Sequence, residues 1–288
     1  MRILIVGTGN IGQHLASYYN AQGHEVTIAG RDRLRCTVHL DLSSAMIAEL
    51  TELPFVDLAI MAAGRTGFAA VGSDSVQSEQ INVANTIRLL DKLCRRNPTI
   101  FLSTSAVFDG TVAFPDEDAA PNPDSVYAGQ KLVVEHYLQS TFPSSALIVR
   151  LTKVMRLDVG LLAGWHSNLM AGSPVYPFSD FFLAPISPDY LAESLLLLAH
   201  ASARGVYHLS GERDISYGML CGRLCAEWGC DSQLVVPHEG AGEACGVAYR
   251  PRFAAIGMTR SGRLGLTPCT IAQVMRPSHV PRLNLHRS

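Results

Sequence analysis

Tyr127 and Lys131 stand four residues apart, the spacing that puts two side chains one turn apart on the same face of a helix. A phenol ionises near pH ~10 and is a poor proton donor and acceptor at neutral pH. An ammonium one turn away stabilises the phenolate and draws its pKa down, which makes proton transfer at a substrate oxygen feasible. Alone, this pair reads equally well as an exposed helical couple. It gains weight from Thr104, which lies 127 − 104 = 23 residues upstream in Ser103-Thr104-Ser105. That hydroxyl closes an apolar run and is available to hold a carbonyl beside the phenol. Hydroxyls at strand ends more often cap turns, and Ser103 and Ser105 are expected to do so.

A second group of residues suits an anion. Gly7-Thr8-Gly9-Asn10-Ile11-Gly12 follows the apolar run Ile3–Val6 and precedes a helical pattern. Here Gly7 permits the tight turn, Gly9 lets backbone approach a pyrophosphate and Gly12 allows close packing of helix on strand; the N–H groups of Asn10 and Ile11 open the helix toward the anion. The alternative is a purely structural strand-to-helix turn. At the end of the next strand an NAD site would carry a carboxylate for the ribose hydroxyls. This chain has Gly30-Arg31-Asp32-Arg33 instead, and Arg31 and Arg33 suit a 2′-phosphate. NADP is therefore expected, with NAD the second choice. Asp41 either accepts from the adenine amino group or caps the following helix.

These groups need a scaffold, and its outline is visible. Short apolar runs at Ile3–Val6, Val26–Ala29, Val38–Leu40, Leu58–Ala62, Ile100–Ser103 and Leu147–Arg150 alternate with helical patterns. The helices are expected at Ile11–Ala21, weakly near Ser44–Leu50, and at Gln77–Cys94 and Tyr127–Gln139. Continuous Val/Ile/Leu strands between helices predict an α/β fold, a doubly wound parallel sheet of Rossmann type covered on both faces. A helix at Asp189–Ala201 and a strand at Val206–Leu209 bring the chain back to that sheet. The expected division is a dinucleotide-binding domain of residues 1–150 with about 187–210, and a smaller substrate region of 151–186 with 211–288.

Composition narrows the function classes. A chain of 288 residues buries about three quarters of its unfolded surface and needs no disulfide or metal staple. Lys+Arg 23 against Asp+Glu 25 leaves no basic field for a nucleic-acid backbone. The seven cysteines contain no CxxC pair. Cys221, Cys225 and Cys230 read as small buried thiols rather than zinc ligands, and no metal is expected. No signal peptide or membrane span is expected, since Leu195–Leu198 is far too short. A reduced cytoplasmic setting is the default, and a homodimer is compatible with the sequence.

Taken together, the glycine turn, Ser103 through Thr111, Tyr127, Lys131 and Glu135 resemble the extended short-chain dehydrogenase/reductases. Within them the chain is most similar to the sugar-nucleotide reductase family that includes dTDP-4-dehydrorhamnose reductase. The likeness continues through Pro121-Asn122-Pro123, Pro185–Glu193, Gly205–Gly211 and Arg250-Pro251-Arg252, nearly the whole chain. It implies hydride transfer from NADPH to a keto group of a nucleotide-linked sugar. Tyr127 would protonate the oxygen, Lys131 would tune Tyr127 and hold the nicotinamide ribose, and Thr104 would orient the carbonyl. By the same likeness Ala62, Ala63 and Gly64 would line the cofactor pocket, and Asn82 would shape the site's floor. Two departures stand out: the turn is GxGxxG where the family has GxxGxxG, and Ser105-Ala106 replaces an acidic-aromatic pair.

Substrate contacts are expected from the loops at the strand ends. Trp165, His166, Tyr176, Phe178, Phe181 and Phe182 suit stacking on a base or sugar, and Lys153, Arg250 and Arg252 suit a diphosphate; Ser105 is expected beside Thr104. Two rival functions share these motifs. One is an epimerase or dehydratase that retains NAD. The other is a non-catalytic NADP-binding regulator, like the regulatory subunit of methionine adenosyltransferase, which would have no need of Thr104, Tyr127 and Lys131.

Overall fold

The first strand explains the architecture. In β1 (Arg2–Val6) the four residues Ile3, Leu4, Ile5 and Val6 are all fully buried. Successive side chains of a strand point to opposite faces, so an unbroken apolar run requires cover on both. That cover exists. Ile3 and Ile5 pack in one cluster with Leu15, Tyr19, Leu191 and Leu195, while Leu4 and Val6 pack in a second with Leu89, Leu93, Val134 and Leu138. The helices Asn10–Ala21 and Pro188–His200 therefore lie on one face, and Thr86–Cys94 and Val126–Thr141 on the other.

The structure is a computed structural model, and it describes residues 1–44, 53–66, 74–240 and 249–278. Its remaining sheet strands are β2 (Glu25–Gly30), β3 (Val38–His39), β4 (Leu58–Met61), β5 (Thr99–Thr104), β6 (Ala146–Leu151) and β8 (Gly205–Leu209). They form one parallel sheet in the order β3-β2-β1-β4-β5-β6-β8, the doubly wound arrangement expected. The order reverses between β1 and β4, which opens a crevice above their carboxyl ends. A two-stranded antiparallel sheet of β7 (Phe182–Leu183) and β9 (Ile215–Ser216) stands apart, with helices Gly160–Met170 and Tyr217–Glu227 beside it. These last four elements lie in the stretches whose period was not read.

One sequence expectation meets a different outcome, and another falls outside the described residues. The weak helix near Ser44–Leu50 falls, from residue 45 on, outside the described residues. The helix expected as one piece over Gln77–Cys94 is an α-helix at Ser75–Glu79, a π-helical turn at Gln80–Asn85 and an α-helix at Thr86–Cys94. The wider turn has a side-chain cause. Asn85 donates from Nδ2 to the carbonyls of Leu42 at 2.7 Å and Ser44 at 3.1 Å, while Thr86 Oγ1 donates to the Ile81 carbonyl at 2.8 Å. Such turns re-aim side chains inward, and both Asn82 and Asn85 are buried.

Beneath the sheet's edge lies a buried charged chain. Glu135 accepts from Arg150 Nη2 at 2.7 Å and Nε at 3.1 Å, and from the Ser103 hydroxyl. Arg150 Nη1 lies 3.4 Å from His208 Nε2, and His208 Nδ1 donates to the Gly257 carbonyl at 2.8 Å. Burial, and then the neighbouring Arg150 cation, lower the His208 pKa from 6.5 to about 3. The unfolded chain therefore takes up a proton that the native state refuses. This contribution to stability is complete above pH 6.5 and is lost as pH falls toward 3. His208→Gln should flatten the acid-side decline of the melting temperature between those pH values. A decline as steep as wild type would show that other groups govern it.

Candidate active site

The glycine turn is shaped for close approach. Gly7 has φ +129°, and a Cβ there would lie 2.8 Å from the Ala63 amide nitrogen. A Cβ on Gly12 would lie 1.9 Å from the Gly7 carbonyl oxygen. Those two glycines are demanded by packing. Gly9 differs, because a Cβ there would meet nothing within 4 Å. Gly9 is also the N-cap of helix Asn10–Ala21, with no side-chain cap and no acidic residue in the first turn. The turn thus offers an open helix N-terminus over bare backbone, which fits a pyrophosphate. Arg156 Nη1 donates to the Asn10 carbonyl at 3.1 Å and steadies the turn; Ile11 lines the adjoining cleft.

Ala62, Ala63 and Gly64 continue from β4 against this turn, with the Ala62 amide donating to the Val6 carbonyl at 2.8 Å. Asn82 holds the next residue by both backbone groups. Its Oδ1 accepts from the Arg65 amide at 2.7 Å, and its Nδ2 donates to the Arg65 carbonyl at 3.0 Å and to Gln130 Oε1 at 2.8 Å. Gln130 Nε2 in turn donates to Ser78 Oγ at 2.9 Å. A buried polar network therefore ties the cofactor-side loop to the helix bearing Tyr127 and Lys131. Ser78 and Gln130 escaped sequence reading because nothing in their spacing separates a buried amide from an exposed one.

Helix Val126–Thr141 begins at Ser125, whose hydroxyl accepts from the Ala128 amide at 3.2 Å. This cap fixes Tyr127 in the first turn, on the wall of a cavity of about 430 Å³. Thr104, Ser105, Tyr127, Ile11 and Lys153 share that cavity with Phe181, Phe182, Tyr217 and Tyr249. Thr104 Oγ1 accepts from the Ala106 amide at 3.2 Å, so its proton is left to donate elsewhere. Lys131 lies behind the wall: its Nζ donates to the Leu102 carbonyl at 2.9 Å and stands 6.0 Å from the centre of the Tyr127 ring. A Cβ on Gly64 would be 3.9 Å from that Nζ, which places the ammonium beside the loop Ala62–Gly64.

Burial acts on both titrating groups. It raises the Tyr127 phenol to about 12, the reverse of the fall expected from Lys131, because desolvation outweighs the neighbouring ammonium. It lowers the Lys131 ammonium to about 8, with Glu135 opposing the fall. At neutral pH the phenol holds its proton and the lysine holds its charge. The arrangement can give a proton to a developing alkoxide and stabilise the phenolate left behind.

Other candidates are placed elsewhere. Trp165 is 6% exposed and packs edge-on against Tyr217 at 6.3 Å, behind the cleft wall. His166 packs on Trp228 at 4.8 Å and lines a separate cavity. Phe178 stacks against His238 at 4.6 Å. Arg250 pairs with Asp180 at 3.0 Å, and the Arg252 guanidinium lies over the Phe253 ring at 5.2 Å. Tyr176 is exposed. Asp41 Oδ1 caps the amide of Ser43 at 2.9 Å. Tyr217 and Tyr249 are cleft residues that sequence reading missed; Tyr217 comes from a stretch with no motif, Tyr249 adjoins Arg250-Pro251-Arg252, and only folding brings them to the site. Cys221 and Cys225 are buried on helix Tyr217–Glu227, and among the described residues no His/Cys/Asp/Glu group can hold a metal. Among those residues no helix is long and apolar enough to cross a membrane.

Comparison with known proteins bears on the family and the fold. A family model described as the RmlD substrate binding domain matches residues 1–273. No curated protein matches significantly in sequence. Among solved structures, a dTDP-4-dehydrorhamnose reductase of Bacillus anthracis in complex with NADP is similar with a TM-score of 0.82 at 18% identity, over 95% of each chain. A hypothetical dTDP-4-dehydrorhamnose reductase of Sulfolobus tokodaii gives 0.78 at 24% identity, over 94% of this chain and 97% of the other. UDP-glucose 4-epimerase of Thermotoga maritima, solved with UDP-glucose, gives 0.79 at 19% identity, over 96% of each chain.

Proposed function

The chain belongs to the RmlD substrate binding domain family, and from that premise we propose that it is an NADPH-dependent reductase of a keto group on a nucleotide-linked sugar. The observation that carries this reading is the convergence of Thr104, Tyr127 and Lys153 in one cleft that also contains Ile11 of the glycine turn. Residues 1–150 with about 187–210 hold the coenzyme, and 151–186 with 211–288 supply the substrate's walls. Gly7, Gly9, Asn10, Ile11 and Gly12 cradle the pyrophosphate. When bound, the reduced nicotinamide supplies a hydride to the carbonyl carbon and is left oxidised. Thr104 donates a hydrogen bond to the carbonyl oxygen. Tyr127 gives that oxygen its proton as the alcohol forms, and its phenolate recovers a proton from solvent. Lys131 holds the phenolate and the ribose. Lys153 is the cleft's cation for a phosphate, and Phe181, Phe182 and Tyr217 offer faces to a sugar or base.

The two similar structures described as reductases and the family match support the sugar-nucleotide class. Free thiols at Cys36, Cys94, Cys221, Cys225, Cys230 and Cys269 suit a reducing, cytoplasmic setting. The test is a panel of nucleotide-linked keto sugars offered with NADPH or NADH, following loss of reduced-nicotinamide absorbance. One NADPH consumed per product supports the reductase. Product without coenzyme consumption indicates the epimerase, and no turnover with any sugar removes the proposal.

A further inference from the structure

The end of β2 is built unusually. A Cβ on Gly30 would stand 2.5 Å from Thr8 Cγ2, 3.1 Å from Thr8 Oγ1 and 3.3 Å from Thr8 Cβ. Turning χ1 can swing the Thr8 methyl and hydroxyl aside, but a Cβ at residue 30 would still stand 3.3 Å from Thr8 Cβ, tighter than ordinary contact. Gly30 is therefore bare because a residue of the phosphate turn lies across it. This is the position from which dinucleotide sheets usually offer a carboxylate to the adenosine ribose. The nearby acid does not take over that task. Asp32 Oδ1 accepts from the Leu34 amide at 3.0 Å, and Asp32 Oδ2 pairs with Arg35 Nε at 3.3 Å. Arg33 Nη2 leans on His39 Nδ1 at 3.3 Å. Arg31, adjoining Gly30, is exposed; it makes no salt bridge among the described residues, although its charge acts on the Asp41 carboxylate.

We propose that Thr8 decides which coenzyme this chain accepts: its side chain excludes a carboxylate at position 30 and presents a hydroxyl, beside Arg31, to a 2′-phosphate. The selecting residue thus sits in the glycine turn, while β2 supplies only the space. The consequence is a coupling between two positions. An acid introduced at residue 30 must displace the Thr8 side chain before it can serve a ribose. This inference rests on the reading that the turn at Gly7–Gly12 binds a nicotinamide dinucleotide.

Direct binding separates the two. The full chain, without substrate, is titrated calorimetrically with NADPH and with NADH, and each variant's melting curve is recorded. Wild type should bind NADPH the more tightly. Thr8→Val keeps the shape and removes the hydroxyl; it should weaken NADPH about tenfold, the worth of one hydrogen bond to a charged group, and leave NADH unchanged. Gly30→Asp alone should weaken both coenzymes, whereas Thr8→Gly with Gly30→Asp should favour NADH. Unchanged NADPH affinity in Thr8→Val, or a full switch to NADH by Gly30→Asp alone, overturns the role of Thr8. Wild type that binds neither coenzyme defeats the functional reading beneath it.

Discussion

Replacing Tyr127 with Phe is expected to lower kcat by about 10²–10⁴-fold, the usual contribution of a positioned acid, while NADPH binding stays within about twofold of wild type. The reason is local. Phenylalanine keeps the ring in the first turn behind the Ser125 cap and keeps its place in the cavity wall. It removes only the hydroxyl, whose proton burial retains up to about 12. The proposed carbonyl and phosphate contacts, Thr104 and Lys153, remain in place, so KM should move less than kcat. Steady-state kinetics with a keto sugar, beside a coenzyme titration, separate the two quantities. Turnover at the wild-type rate would remove Tyr127 as the proton donor and with it the assigned role of Lys131.

The second large effect concerns Glu135, which lies one turn beyond Lys131 on the same helix. It is wholly buried between two cations, the Arg150 guanidinium at 2.7 Å and the Lys131 ammonium, which its charge supports. Glu135→Gln leaves both cations in the interior without an anion. Arginine does not give up its proton in proteins, so Lys131 must yield its own more readily. Burial has already lowered Lys131 to about 8. The cation that supports the phenolate is present below that value and lost as pH rises through it. Wild-type kcat/KM should therefore decline on an alkaline limb near 8, and in Glu135→Gln that limb should move about one unit or more toward acid. Unfolding in urea should show a loss of about 3–5 kcal/mol, typical of a broken buried pair. A purely structural glutamate would lower stability but leave the limb in place. An unmoved limb would therefore overturn its electrostatic support of Lys131.

The alternating Val/Ile/Leu runs were enough to establish the parallel sheet, because a strand buried on both faces has no polar position to interrupt it. The glycine turn was legible for a related reason: Gly7 and Gly12 sit where any Cβ would strike backbone. Tyr127, Lys131 and Thr104 could be paired on paper because helical spacing and a strand end are local properties. What the sequence withheld is whatever depends on long-range contact. No pattern marks Tyr217 or Tyr249 as facing the cleft, or Trp165 as standing behind it, since an aromatic that fills a core and one that lines a cavity are the same residue in a string. The π-turn at Gln80–Asn85 exists because Asn85 finds carbonyls some forty positions away at Leu42 and Ser44. No pattern shows that Arg250 pairs with Asp180, seventy positions away. Local chemistry names the parts; the cost of leaving a buried polar group or charge unsatisfied decides, only once the chain is folded, which of them meet.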